Sequence, residues 1–455
     1  MKTLIDPASN LFKDFFRDCS IVMSAPNVFF LVGEHAVLRG IPSVVQAMPT
    51  RVYVGMKHRE SLEKWLTLMV CDSSGTLHER QVREDPTIVG IRHVRSFGEV
   101  YYRTRTKILQ RILNQIEHSA IKVLSDIIAG SGANWSGAFS SALAGCVHFG
   151  MVENRSNPDT IRAELDRWGD ETQRNNSGRF NDINLLAFFL ESAFHNGRAS
   201  GYGNYISLLG SPTPVVYRTH RRYVDRRPFI NVYTSINDPL DPNRGTAEVI
   251  SRLEEVAATV KLTTLSSNWL HLVYIAVIDT LKRKEIGTAG AISKLLDELL
   301  NDLRIAGNKV PEWLDLSDLD FFQQSDTIWS ALDHDILAFI YFFRHFLSEG
   351  NPNLCSKAIG YMNAINHLLL SFGLGWREFT DISIRLLTAA GIDQSNTAVK
   401  LSGGGTAGVC TLMSTELDHS TLIGILKDPE CILYSSDLGY PINGLRLHKL
   451  GETYL

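Results

Sequence analysis

The chain reads as an α+β protein of two domains, residues 1–220 and 221–455. Three observations lead there. The chain has 455 residues, 44% of them hydrophobic, enough to fill two cores. Its apolar segments divide into short β-like runs and longer helical runs, without the regular alternation that builds a parallel sheet. A basic stretch over residues 215–228, ending in Pro228, separates the halves. Its densest part, Arg218–Arg227, is either a solvated connector or strand edge, or a site for a phosphate or a partner.

Composition excludes several classes. Net charge is −4 and the pI is about 6.4, so no broad positive field is available for nucleic acid or an acidic membrane. The cysteines Cys19, Cys71, Cys146, Cys355, Cys410 and Cys431 are scattered, with no CxxC pair and no metal-ligand spacing. They read as reduced thiols of a cytoplasmic protein. The N-terminus, MKTLIDPASNLFKDFF, lacks the charged start and apolar core of a signal peptide. The apolar run ILAFIYFF at 336–343 is far too short to span a membrane.

In chain order, residues 1–18 predict an amphipathic helix with Leu11, Phe12, Phe15 and Phe16 on one face. Strands are expected at Ile21–Val32, ended by Gly33, at Ser43–Tyr53 around Pro49, and at Trp65–Cys71. Residues 100–129 read as helix, with Ile108, Ile112, Ile116, Ile121, Leu124 and Ile128 near helical spacing. An Ala-rich helix follows from Gly137 to about Phe149. Another covers Ile183–His195, with Ile183, Leu186, Ala187, Leu190 and Phe194 on one stripe. Phe229–Thr234 is β-like, and the turn-rich NDPLDPNRG leads into a helix at Thr246–Val260. Residues 265–348 read as mainly helical, as do 355–373 and 376–391. Val399–Leu401 and Gly408–Met413 flank a glycine cluster as strand-like runs.

Three segments carry candidate chemistry. In Gly130-Ser131-Gly132-Ala133-Asn134-Trp135-Ser136-Gly137, small residues let backbone N–H groups surround an anion at the positive end of the following helix. Ser136 sits where a hydroxyl reaches a phosphate-bound Mg²⁺. A glycine turn between two packed helices fits the same residues. No Lys-Ser/Thr follows the last glycine, so this is not a P-loop, and protein-kinase signatures are missing. Gly403-Gly404-Gly405-Thr406 is either a close approach to a ligand or a hairpin turn. Glu34 and His35, at the end of an apolar strand, are substrate-contacting groups or a satisfied turn.

Taken in order, these segments resemble the GHMP kinases, the family of galactokinase, homoserine kinase, mevalonate kinase and phosphomevalonate kinase. SAPNVFFLVGEHAVLRG is similar to the family's first motif, its GEHAV closest to mevalonate kinase. GSGANWSGAFSSALA resembles the second, phosphate-binding motif, and KLSGGGTAGVC the third. LLAFFLESAFHNGRASGYGN resembles the mevalonate-kinase stretch from a helix Glu to Ser-Gly-x-Asp. The likeness covers roughly residues 22–55, 120–255 and 355–415. It implies a ribosomal-S5-like N-terminal domain and a ferredoxin-like C-terminal domain with a helical insertion. It further implies ATP and Mg²⁺ as cofactors. Gly130, Ser131, Gly132, Asn134, Ser136 and Gly137 would cradle phosphates, and Gly403, Gly404, Gly405 and Thr406 would close over them. Ser136 and Glu191 would hold the metal. Glu34, His35, Ser200 and Tyr202 would face the acceptor, a small-molecule alcohol. The unmatched residues 265–350 would form a lid or a homodimer surface.

The chain departs from that pattern at its catalytic pair. Asn27 stands where mevalonate kinase has Lys, and Gly203 where it has the catalytic Asp, so the sequence names no catalytic base. Arg198, Asp238 or Asp241, on neighbouring segments of the sequence, would be the charges to contribute in its place. Two functions fit these residues. One is ATP-dependent phosphorylation of a hydroxyl on a sugar, polyol or mevalonate-like alcohol. The other is nucleotide binding without catalysis, as a sensor or partner subunit.

Overall fold

The computed structural model describes residues 5–34, 36–39, 41–58, 67–71, 77–80, 93–102, 119–127, 132–153, 157–195, 199–211, 213–218, 242–265, 268–279, 318–371, 395–402, 408–425, 432–435, 442 and 444–448. Helix and strand are mixed as an α+β protein requires, and two sheets organise the described residues. The larger takes strands β1 (Ile21–Val32), β2 (Ser43–His58), β3 (Thr67–Cys71), β4 (Leu77–Arg80), β5 (Ser119–Ser125), β6 (Val215–Arg218), β7 (Lys261–Thr264) and β12 (Arg446–Leu447). Their order is β12-β1-β2-β5-β3-β4, with β6 paired to β2 and β7 to β6. Only β3 and β5 run parallel among these pairs. The smaller sheet is antiparallel, in the order β11 (Ile432–Ser435), β8 (Tyr274–Asp279), β10 (Val409–Ser414), β9 (Thr397–Leu401).

β1 is buried at all of its 12 positions, which explains its unbroken apolar character. Met23 and Ala25 pack with the Trp135–Val147 and Gly178–Phe194 helices. Phe29 and Leu31 pack with Ile275 and Val277 of β8 and with Phe339 and Phe343 of the Asp318–Glu349 helix. One strand thus belongs to two cores. Its pairing with β2 shifts between Pro26 and Val28, opposite the stretch holding Pro49. Proline has no N–H to give the ladder, so the irregularity falls there.

Elsewhere the local patterns mostly hold. The Asn10–Phe16 helix buries Phe12 and Phe16, one turn apart, but leaves Leu11 52% exposed. The Gly178–Phe194 helix buries Ile183, Leu186, Ala187 and Leu190 together, and the Pro352–Ser371 helix lies where expected; the Pro242–Ala257 helix starts four residues earlier than expected, within the segment read as a turn. Two readings are corrected. Ser119–Ser125 is not helical but a strand, antiparallel to β2. The stretch 265–348 contains β8 before its long helix. The expected elements at 103–118, 229–234 and 376–391 lie outside the described residues. No described helix is long and apolar enough to cross a membrane.

Candidate functional site

The phosphate-binding candidate lies where β5 passes into the Trp135–Val147 helix. Gly132 has φ 95° and Asn134 φ 50°, two left-handed residues that turn the chain sharply into the first helical turn. That turn's N–H groups have no partners within the helix, so they are open to an anion. The helix is buried along its length, and its small residues allow this. Trp135 is a packing residue. Its ring stacks on Phe139 with centroids 5.1 Å apart, and its Nε1–H donates to Ser125 Oγ at 3.2 Å. Gly130 and Ser131 lie outside the described residues.

The two expected metal-binding residues meet here. Ser136 Oγ is 3.1 Å from His195 Nε2, and that nitrogen is 4.0 Å from Glu191 Oε1. Glu191 comes from the Gly178–Phe194 helix, and His195 caps its C-terminal end. Glu191 is 2% exposed, and burial pushes its carboxyl up to about 8. A backbone hydrogen bond from Asn204 N, at 3.4 Å to Oε2, opposes that shift. Sequence reasoning missed His195. Its signal was modest: it follows Glu191 by four residues on one helix, a spacing that puts the two side chains together.

The segment Ser200-Gly201-Tyr202-Gly203 borders the same cluster. Gly201 has φ 77°, and a Cβ there would lie 2.9 Å from Phe188 Cζ. Tyr202 begins the Tyr202–Leu209 helix and packs its ring edge-on to Phe30, centroids 4.2 Å apart. Burial, then the negative charges of Glu191 and Glu34, push its phenol well above the usual tyrosine range. Tyr202 therefore lies in the field of both carboxylates and stays un-ionised. Ser200 is buried, and its carbonyl accepts from Tyr217 Oη at 3.0 Å.

The first and third motifs are joined by a buried ion pair that no local pattern announces. Lys400 Nζ donates to Glu34 Oε1 and, at 2.6 Å, to the Leu401 carbonyl. Glu34 is 6% exposed and Lys400 fully buried. Phe30 N donates to Ser402 Oγ at 3.3 Å, and Thr411 Oγ1 donates to the Phe30 carbonyl at 2.9 Å. His35 and Gly403–Thr406 lie outside the described residues, as do Arg198, Asp238 and Asp241.

At the two departures from the family pattern, Asn27 is fully buried at the β1 irregularity. Neither of its side-chain polar atoms finds a partner among the described residues. Gly203 is hemmed in: a Cβ there would overlap Asn134 Oδ1 and lie 2.6 Å from Glu191 Oε1.

Solved structures share this arrangement of elements. A galactokinase of Lactococcus lactis, complexed with galactose, aligns at a TM-score of 0.51 and 12% identity, over 96% of this chain and 97% of its own. The chain has the GHMP kinase fold. A Lin0012 protein of Listeria innocua aligns at a TM-score of 0.52 and 10% identity, over 94% of this chain and 99% of its own. At such identities the likeness is one of fold. No protein-family model matches the chain, and no curated protein matches it.

Proposed function

We propose that this protein binds ATP with Mg²⁺ at the 132–137 turn and transfers the γ-phosphoryl group to a hydroxyl of a small metabolite, a sugar, polyol or mevalonate-like alcohol. One observation carries the reading. Ser136 and Glu191, from separate helices, converge within one imidazole's reach at the open end of a helix. They suit the metal. A hydroxyl and a carboxylate are the hard oxygen donors Mg²⁺ takes, and a carboxyl that burial keeps protonated regains its charge beside a cation. Bound Mg²⁺ would neutralise charge on the phosphates. Gly132, Asn134 and the first helical turn hold those phosphates through backbone N–H groups. Lys400 balances the charge of Glu34, and the Tyr202 phenol, which feels both acids, stays un-ionised. Gly203 supplies no base. Phosphoryl transfer tolerates this, because its transition state is loose and a general base contributes only about 10²–10⁴-fold.

A second reading has its own support. The packing around Gly203 leaves no room for a carboxylate, which suits a protein that binds nucleotide without transferring phosphate. An assay of ADP release separates the two. With Mg·ATP and a panel of sugars, polyols, mevalonates and hydroxy acids, catalysis predicts acceptor-dependent ADP that Ser136→Ala and Glu191→Ala abolish. Silence across the panel, with ATP still bound, supports the second reading and sinks the first.

A further inference from the structure

Asn134 combines three unusual features. It has φ 50°, unique among the described non-glycine residues, and a left-handed residue other than glycine costs about 1–3 kcal/mol and clusters at functional sites. It occupies the N-cap of a 13-residue helix, where asparagine normally accepts a hydrogen bond from the first turn, yet it makes no cap bond. Its Nδ2 is buried with no partner among the described residues, and a buried donor left unpaired is costly.

The carboxamide lies between two glycines. A Cβ at Gly137 would sit 2.5 Å from Asn134 Nδ2, and one at Gly203 would sit 2.7 Å from Asn134 Cγ and overlap Oδ1. Both glycines are therefore needed while Asn134 is present. Gly203 is also the position at which the resembling kinases carry an acid. We infer that Asn134 and Gly203 work as one unit: the carboxamide takes the room a side chain at 203 would need, and presents its buried Nδ2 to a phosphate oxygen of the bound nucleotide. The inference rests on the nucleotide-binding reading given above.

The left-handed Asn134 and the bare position at Gly203 thus become one change. A carboxylate at 203 would add negative charge beside Glu191. A neutral donor in the same space adds none and favours an anionic phosphate by a charge-assisted hydrogen bond. The site gains grip on phosphate where it gives up proton abstraction.

Calorimetric titration of Mg·ATP into the full chain tests this, with thermal melts as the control for folding. Asn134→Gly keeps a residue suited to positive φ and removes the amide. It should melt no lower than the wild type and bind Mg·ATP about tenfold or more weakly, the usual worth of a hydrogen bond to a charged group. Asn134→Asp should be weaker still. Gly203→Ala should lower both melting temperature and affinity. In the double variant Asn134→Gly/Gly203→Ala the melting temperature should recover in part, because the contact with Glu191 Oε1 remains, while affinity stays low. An Asn134→Gly variant that binds Mg·ATP as the wild type does overturns the inference. So does a Gly203→Ala variant with unchanged melting and affinity. A wild-type protein that binds no Mg·ATP overturns the nucleotide-binding reading itself, and the inference with it.

Discussion

Glu191 concentrates the site's chemistry in one carboxyl group. In the unfolded chain it ionises near its ordinary 4.5, and burial in the fold raises that to about 8. Between those values the folded protein holds a proton that the unfolded chain has lost. Stability therefore falls as pH rises through that window and levels off above it. In metal-free protein, Glu191→Gln removes this dependence. Melting temperatures of the variant and the wild type should diverge in the variant's favour from about pH 4.5 to about 8, then run parallel. A gap that does not change with pH would mean that Glu191 is ionised in the folded state. Glu191 was legible from sequence through its motif. His195, which links it to Ser136, was not, because a lone histidine at a helix end carries no sign of what it meets.

At the scale of elements, the glycine-bearing turns do the positioning. Gly201 starts the Tyr202–Leu209 helix with φ 77° against the Phe188 ring. Gly201→Ala should cost about 1–3 kcal/mol in denaturant unfolding, for a strained left-handed alanine in a crowded position. A neutral result would mean that the turn has another conformation. The turn at 132–137 could be read in advance because glycine clusters punctuate sequence strongly; the helix start at Gly201 was not read. Nor could β5 be read. Ile121 and Leu124 are three residues apart, which fits a helix. Yet β5 buries Ala120, Ile121, Val123, Leu124 and Ser125, residues from both of its faces, and so short an apolar run does not separate strand from helix. β1 escaped this ambiguity because its 12 residues end cleanly at Gly33.

At the scale of the whole molecule, the Glu34–Lys400 pair ties the end of β1 to the smaller sheet across 366 residues of sequence. No local pattern announces such a contact, and only the order of the three motifs hinted that these segments converge. Lys400→Met leaves a buried carboxylate without its cation and should cost about 3–5 kcal/mol. Adding Glu34→Gln removes the stranded charge and should recover most of the loss. Additive losses in denaturant unfolding would mean that the pair does not couple the two sheets. Phosphoryl transfer at this site requires that Ser136 and Glu191 bind metal-complexed phosphate. The direct measurement is the Mg²⁺ dependence of ATP affinity, by calorimetry, in the wild type and in Ser136→Ala/Glu191→Ala. Mg²⁺ should tighten ATP binding to the wild type and do nothing for the double variant. Equal tightening in both proteins would contradict that requirement.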